Sequence, residues 1–165
     1  MNQIYAEAGV KRKDTASTMG LRLLLILGIV AGFFISMLGS FFSIIGVAII
    51  VVLGYLFPKL NVEYEYVFVD GQLDFDRISG KSKRKTLLRI DLEQVDIVAP
   101  ANSHAMDSYA NIQSEKKDFT SRNANSKPYV IIANVQNKKA FIYFEPSEKM
   151  ITMMKQKSPR KVTTY

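Results

Sequence analysis

Hydrophobic positions follow two different patterns, one before and one after residue 58. Residues 23–57 carry no charged side chain and are almost entirely apolar. A bilayer core needs roughly 20 helical residues, whereas one helix through this run would reach about 52 Å. The run therefore predicts two spans, near 21–38 and 41–57, with the break at Gly39. Pro58 is expected to end the second helix because its ring fixes φ.

After residue 61 the pattern changes to the period of two that is typical of a β-strand. Tyr and Phe alternate with acidic residues, and Asp70-Gly71 is a strong signal for a two-residue hairpin turn. Residues 72–78 then form the return strand, with Leu73 and Phe75 on the apolar face. This register places Glu65 opposite Asp76, which is an unfavourable like-charge pair.

Further strands are predicted at 83–90 and 95–99, followed by a second hairpin of 129–135 and 140–144. The polar residues 101–127 between them predict a long mobile loop. Ser147 is expected to cap a C-terminal helix. Its apolar stripe, which would cover the open end of the sheet, consists of Met150, Ile151, Met153 and Met154.

These elements predict a membrane α-helical hairpin followed by a small, mostly-β (α+β) domain, a curled sheet or partial barrel closed by a C-terminal helix. The expected divisions are a basic N-terminal segment at 1–20, the hairpin at 21–58 and the β domain at 59–165.

The distribution of basic residues predicts how the hairpin is oriented in the membrane. The chain carries a formal charge of +7, and basic residues flank both ends of the apolar run while its turn has none. The positive-inside rule places both termini in the cytoplasm of a two-span cell-membrane protein. A single tilted span with the C-terminal domain outside is the alternative. The absence of Cys excludes disulfides and thiolate chemistry.

Small residues recur in the apolar run at spacings that let helices approach closely. They are Gly28, Gly32 and Ser36 in the first span, Ser40 at the break, and Gly46 and Gly54 in the second span. Two interpretations stay open: a face for a homo-oligomer, and packing of the two helices on each other, which is favoured.

Catalytic chemistry has little support. His104 stands alone in a polar stretch, without Cys or acids at ligand spacing. Asp70, Asp74 and Asp76 lack the terminal Glu and the loop length of a calcium loop, and they are interpreted as a turn residue and two outward strand residues. The sequence therefore predicts no catalytic, metal or cofactor residue and no enzyme.

The strongest chemical feature is a basic run without acids: Lys81, Lys83, Arg84, Lys85 and Arg89. In one interpretation it contacts anionic lipid headgroups. In the other, Lys83, Lys85 and Arg89 share a face with Glu65, Asp74 and Asp76 and neutralise them. Nucleic acid is not expected, because exposed aromatics are not interleaved with the basic residues.

The order of elements resembles the pleckstrin-homology-like (PH-like) domains found beside membrane helices in small bacterial proteins. The segments NVEYEYVFVDGQLDFDRI, KRKTLLRIDLEQVDIVAP and FEPSEKM…PRKV also resemble an uncharacterised family of short bacterial membrane proteins. That resemblance implies an architecture and no activity. The predicted function is a non-enzymatic module at the cytoplasmic face of the membrane that binds a protein partner or anionic headgroups. The alternative is a small subunit or regulator of a larger membrane complex, with the hairpin as its binding surface.

Overall fold

A computed structural model describes residues 4–80, 83–109 and 111–164. The chain divides into two compact units. One contains the two apolar helices, the residues that connect them to Val62, and Ser79, Gly80 and Lys83. The other contains the strands and the C-terminal helix.

The helical unit confirms the two predicted apolar helices. Helix α1 is Ala16–Ser36 and helix α2 is Ser40–Leu56, followed by a 3-10 turn, Phe57–Leu60, that contains Pro58. Gly39 has a φ of 78°, a conformation that glycine adopts without steric cost, and it reverses the chain between the helices. Helix α1, and helix α2 together with the 3-10 turn, are long and apolar enough to cross a membrane.

The β unit contains two four-stranded sheets and helix α3, Glu148–Lys157. The first sheet has the order β1-β2-β3-β4 and the second β5-β7-β8-β6. In the second sheet β6 runs parallel to β8, and the other pairs are antiparallel. The strands are β1 Tyr5–Lys11, β2 Val62–Val69, β3 Gln72–Ser79, β4 Lys83–Asp91, β5 Val95–Pro100, β6 Glu115–Asp118, β7 Tyr129–Val135 and β8 Lys138–Phe144.

The predicted fold class is confirmed, with the strands shared between two sheets that do not close into a barrel. At the first hairpin, Asp70 and Gly71 have φ values of 49° and 106°, which are the positive values that a tight hairpin turn demands. The residues predicted to face inward on β2 and β3 are buried: Tyr64, Tyr66, Phe68, Leu73 and Phe75.

Aromatic rings form the centre of the core. Phe75 stacks on Phe119 with ring centroids 4.8 Å apart, and Tyr66 meets Phe75 and Phe144 edge to face. The Tyr66 hydroxyl donates to the Phe119 carbonyl at 2.6 Å, and burial raises the pKa of Tyr66. These contacts join both sheets, because Tyr66 and Phe144 lie in different ones.

Helix α3 begins as predicted. The Ser147 hydroxyl accepts a hydrogen bond from the Met150 amide at 3.3 Å, which satisfies one of the free donors at a helix start. Met150, Ile151 and Met154 are buried, whereas Met153 is half-buried.

The structure corrects the N-terminal segment that was predicted at residues 1–20. Tyr5–Lys11 forms β1, antiparallel to β2 from Tyr5 opposite Val69 to Lys11 opposite Glu63, and α1 begins already at Ala16. Strand β1 thus belongs to the β unit. Its inward positions include Ala6 and Ala8, whose small side chains give a weak hydrophobic signal.

The structure also corrects the stretch 101–127, which was predicted as a loop without elements. A 3-10 segment, His104–Tyr109, and strand β6 lie within it, and Phe119 is buried at 7% exposure. The sequence of β6 is EKKD, which has no apolar residue to reveal a strand. Its partner β8 lies more than 20 residues away, so the pairing leaves no local pattern.

Limited trypsin digestion of the full chain in detergent distinguishes the two descriptions. We expect the first cut within this stretch after Arg122, which is exposed and outside any strand. Lys116 and Lys117 should be cut later, because β6 is hydrogen-bonded to β8 and strand backbone must open before cleavage. A first cut at Lys116 or Lys117 would show that β6 is not held in solution.

Candidate functional site

The first sheet carries a cluster of four carboxyl groups: Glu7, Glu65, Asp74 and Asp76. The Glu65 and Asp76 side chains are only 13% and 8% exposed. Burial of a carboxylate is costly unless a cation compensates it. The cluster therefore needs positive charge close by.

Arginines of β4 supply that charge. The Arg89 guanidinium donates to both Asp74 oxygens at 2.7 and 2.6 Å. The Arg84 guanidinium pairs with Glu65, and its Nε lies 3.8 Å from an Asp76 oxygen. A single cation thus faces both carboxylates that were predicted to oppose each other.

This arrangement differs from the predicted neutralisation by Lys83, Lys85 and Arg89. Arg89 pairs as expected, but Arg84 replaces the two lysines. Strict alternation would place Arg84 and Arg89 on opposite faces of the strand. Strand β4 is the edge strand, so no neighbouring strand confines the long side chain of Arg84.

Two members of this cluster, Glu7 on β1 and Glu65 on β2, also interact with each other. Burial, followed by a hydrogen bond with the Glu7 carboxyl, raises the pKa of Glu65. The Tyr5 hydroxyl donates to Glu7 at 2.5 Å, and this bond is the main reason that the pKa of Glu7 is lowered. Sequence reasoning missed Tyr5 and Glu7 because it did not predict β1.

The two described lysines of the run lack such pairing. Lys83 and Lys85 are exposed, and neither forms an ion pair with any residue that the structure describes. Lys81 lies outside the described residues. The first five residues of β4, from Lys83 to Leu87, are all exposed, so neither face of this half of the strand is covered.

The helical unit has its own polar cluster at the open end of the hairpin. Arg22 of α1 pairs with Asp14 at 2.8 Å and donates to the Asn61 side chain at 2.7 Å. The Gly80 amide donates to the Asn61 carbonyl at 3.2 Å. The residues that lead into β4 are thus joined to the end of the second helix. The sequence pattern gave no sign of this role for Asn61.

Aromatic and basic side chains meet at the same end. The Lys59 ammonium lies 3.7 Å from the centre of the Tyr55 ring, within the range of a cation–π contact. Tyrosine next to lysine at the end of an apolar helix is typical of a membrane–water interface.

The small residues of the apolar run lie in different surroundings. A Cβ at Gly28 would come within 2.5 Å of Leu53, and one at Gly46 within 2.5 Å of the Gly32 carbonyl and 2.8 Å of the Ser36 Cα. Gly28, Gly32, Ser36 and Gly46 therefore lie where α1 and α2 contact each other. Gly54 has no atom within 4 Å of its Cβ position.

The residues examined for catalysis have ordinary surroundings. His104 lies 3.2 Å from Asp107 in an exposed segment. Across the described ranges, no group of three His, Cys, Asp or Glu side chains could hold a metal ion. Asp74 and Asp76 face arginines, and Asp70 forms the hairpin turn. The arrangement presents charge and an open strand edge, which are the features of a binding surface.

The β unit, with two sheets and a C-terminal helix, has a PH-like fold, and two apolar helices are inserted between its first and second strands. A family model, Bacterial PH-like domain (DUF6106), matches residues 2–164. The chain belongs to this family. No curated protein matches the sequence. PH-like domains are typically interaction folds, and fold alone does not establish an activity.

Proposed function

We propose that this chain is a non-enzymatic interaction module anchored in the cytoplasmic membrane by α1 and α2. Its PH-like domain would lie at the cytoplasmic face. The apolar helices support the anchor because, away from the stripe where α1 and α2 pack on each other, their side chains are exposed, including Leu24, Phe34, Ile44 and Val51 at 64–70%. Helices that are apolar all round are stable in a bilayer or a large core.

The pairing of β1 with β2 carries the proposal. Strand β1 precedes the helices and β2 follows them, yet the two form one antiparallel ladder. Residues on either side of the apolar segment must therefore share one side of the membrane, which two spans achieve and one span does not. Basic residues at both flanks, with none at the turn around Gly39, favour the cytoplasmic side.

The packing of α1 on α2 supports an interaction module that binds through its β unit, rather than a subunit that binds its partner through the helices. Gly28, Gly32 and Gly46 face the partner helix within the same chain. These three glycines are thus already used within the hairpin, whereas Gly20 and Gly54 have nothing within 4 Å of their Cβ positions.

Contact of the basic run with anionic headgroups is part of this proposal. Lys83 belongs to the same unit as the helices, and Gly80 is hydrogen-bonded to Asn61 at the end of that segment. Lys59 lies in the turn after α2. Basic side chains near an anionic surface gain about 1 kcal/mol each. Lys59 and Lys83 would therefore contribute most to headgroup contact, because Arg84 and Arg89 already face carboxylates.

The test compares the full chain in nanodiscs of neutral lipid and of neutral lipid mixed with phosphatidylglycerol. An amine-reactive reagent should label Lys59 and Lys83 more slowly in the anionic discs. Lys149, exposed on α3, serves as the control and should react equally in both. The difference should shrink at high salt, because the Debye length falls from about 10 Å at 0.1 M to about 3 Å at 1 M. Equal labelling at all three lysines would refute headgroup contact.

A further inference from the structure

We propose that the free edge of β4 is a docking site for an extended, acidic segment of a partner protein, which adds to the first sheet as a fifth strand. This deepens the proposed function, on which it rests, by naming the chemistry of the partner.

The edge is open and long enough for such pairing. Strand β4 has nine residues and a strand neighbour on one side only. An edge strand presents a row of N–H and C=O groups that another chain can pair with. The uncovered half, from Lys83 to Leu87, leaves room for an added strand to approach.

The other edges are less suited to this role. Strand β5 is bridged by the C-terminal residues, since the Val98 amide donates to Lys161 at 2.7 Å and the Thr163 amide donates to Val98 at 2.8 Å. Strand β6 has only four residues. Strand β1 contains Gly9 near its middle, which weakens a strand.

The positive charge of β4 favours an acidic segment as the added strand. Strand β4 contains four basic residues and one acid. Arg84 and Arg89 already face carboxylates, but Lys83 and Lys85 have no ion-pair partner among the described residues. Cross-strand pairs of opposite charge stabilise an added strand. Leu87, at 40% exposure, offers an apolar contact between the charged positions.

The same charges disfavour a second copy of this chain. An antiparallel pair of β4 strands centred on Leu87 would bring Lys85 opposite Arg89, and the Lys83–Asp91 pairs of the same register would only offset that repulsion. A parallel pair in register would bring each lysine opposite itself. Both arrangements oppose like charges, which is destabilising. A headgroup layer could match the charge, but it cannot form the backbone ladder that an open edge offers.

The probe is a synthetic peptide that alternates Glu with Val, added to the full chain in nanodiscs of neutral lipid and followed by fluorescence anisotropy. We expect saturable binding that weakens about tenfold on N-methylation of alternate peptide bonds, equivalent to about 1.4 kcal/mol. N-methylation keeps the charge of the peptide and removes its backbone donors. Lys85→Glu should weaken binding by a similar factor, whereas Lys149→Glu should leave it unchanged.

Each outcome either supports or overturns the addition of an acidic strand to β4. Equal affinity for the methylated peptide would mean that charge alone attracts it, which overturns strand addition. Absence of binding would also overturn it. If Lys59 and Lys83 are nevertheless protected in anionic nanodiscs, lipid is the ligand and the proposed function stands. Melting temperatures of the Lys85→Glu and Lys149→Glu chains control for loss of fold.

Discussion

Gly46→Ala should separate the two apolar helices and destabilise the hairpin by about 1–3 kcal/mol, the usual cost of overpacking. The new Cβ would lie within 2.5 Å of the Gly32 carbonyl and 2.8 Å of the Ser36 Cα. Both are backbone atoms, so no side chain can rotate away and the helices themselves must move. The intrinsic gain of about 1 kcal/mol from replacing glycine in a helix offsets only part of this cost.

Gly54→Ala is the matched control, because nothing lies within 4 Å of its Cβ position. It should leave the hairpin unchanged or slightly more stable. Titration of the detergent-solubilised chain with a denaturing detergent, with fluorescent labels on the two helices, reports their separation. Equal midpoints for the two variants would mean that Gly46 is not a close-contact position.

Arg84→Gln should destabilise the β unit by about 1–2 kcal/mol. Removing one partner of a buried ion pair costs about 3–5 kcal/mol, but Arg84 is 56% exposed, so water screens much of the interaction. Lys85→Gln is the control, and as a surface change it should stay within about 0.5 kcal/mol. Denaturation of the full chain, followed by near-ultraviolet circular dichroism, measures both.

The penalty for Arg84→Gln should grow with pH. Burial raises the pKa of Glu65 above its ordinary value of 4.5, while Arg84 acts in the opposite direction. Between the unfolded and the folded pKa of Glu65, this carboxyl group binds more protons in the folded state, so its contribution to stability falls as pH rises. Loss of Arg84 raises the pKa of Glu65 further and deepens that fall. A penalty that stays constant as pH rises from the ordinary Glu pKa of 4.5 would contradict the pairing of Arg84 with Glu65.

Local patterns predicted the elements whose signals lie within a few residues. The alternation around Tyr64 and Tyr66 predicted β2, and Asp70-Gly71 predicted the hairpin turn that follows it. The uncharged run predicted two helices with a break at Gly39. Each depends on the physics of neighbouring residues, namely side-chain period, turn geometry or bilayer thickness.

Elements that depend on distant partners escaped prediction. Strand β1 presents small side chains inward and pairs across the whole helical segment, and β6 has no apolar residue at all. Glu7 and Tyr5 were missed with β1. The pairing of Arg84 with Glu65 was not predicted, because its reach around an edge strand cannot be read from alternation alone.

Cysteine labelling tests the central proposal, that a two-span hairpin anchors a cytoplasmic PH-like domain built from both of its flanks. The chain has no Cys, so Asn2→Cys, Leu38→Cys and Thr164→Cys each introduce a single thiol. On intact bacterial cells, a membrane-impermeant maleimide should label Leu38→Cys alone, and the other two only after the membrane is opened. Labelling of Thr164→Cys on intact cells, with Asn2→Cys protected, would place the domain outside and contradict the account.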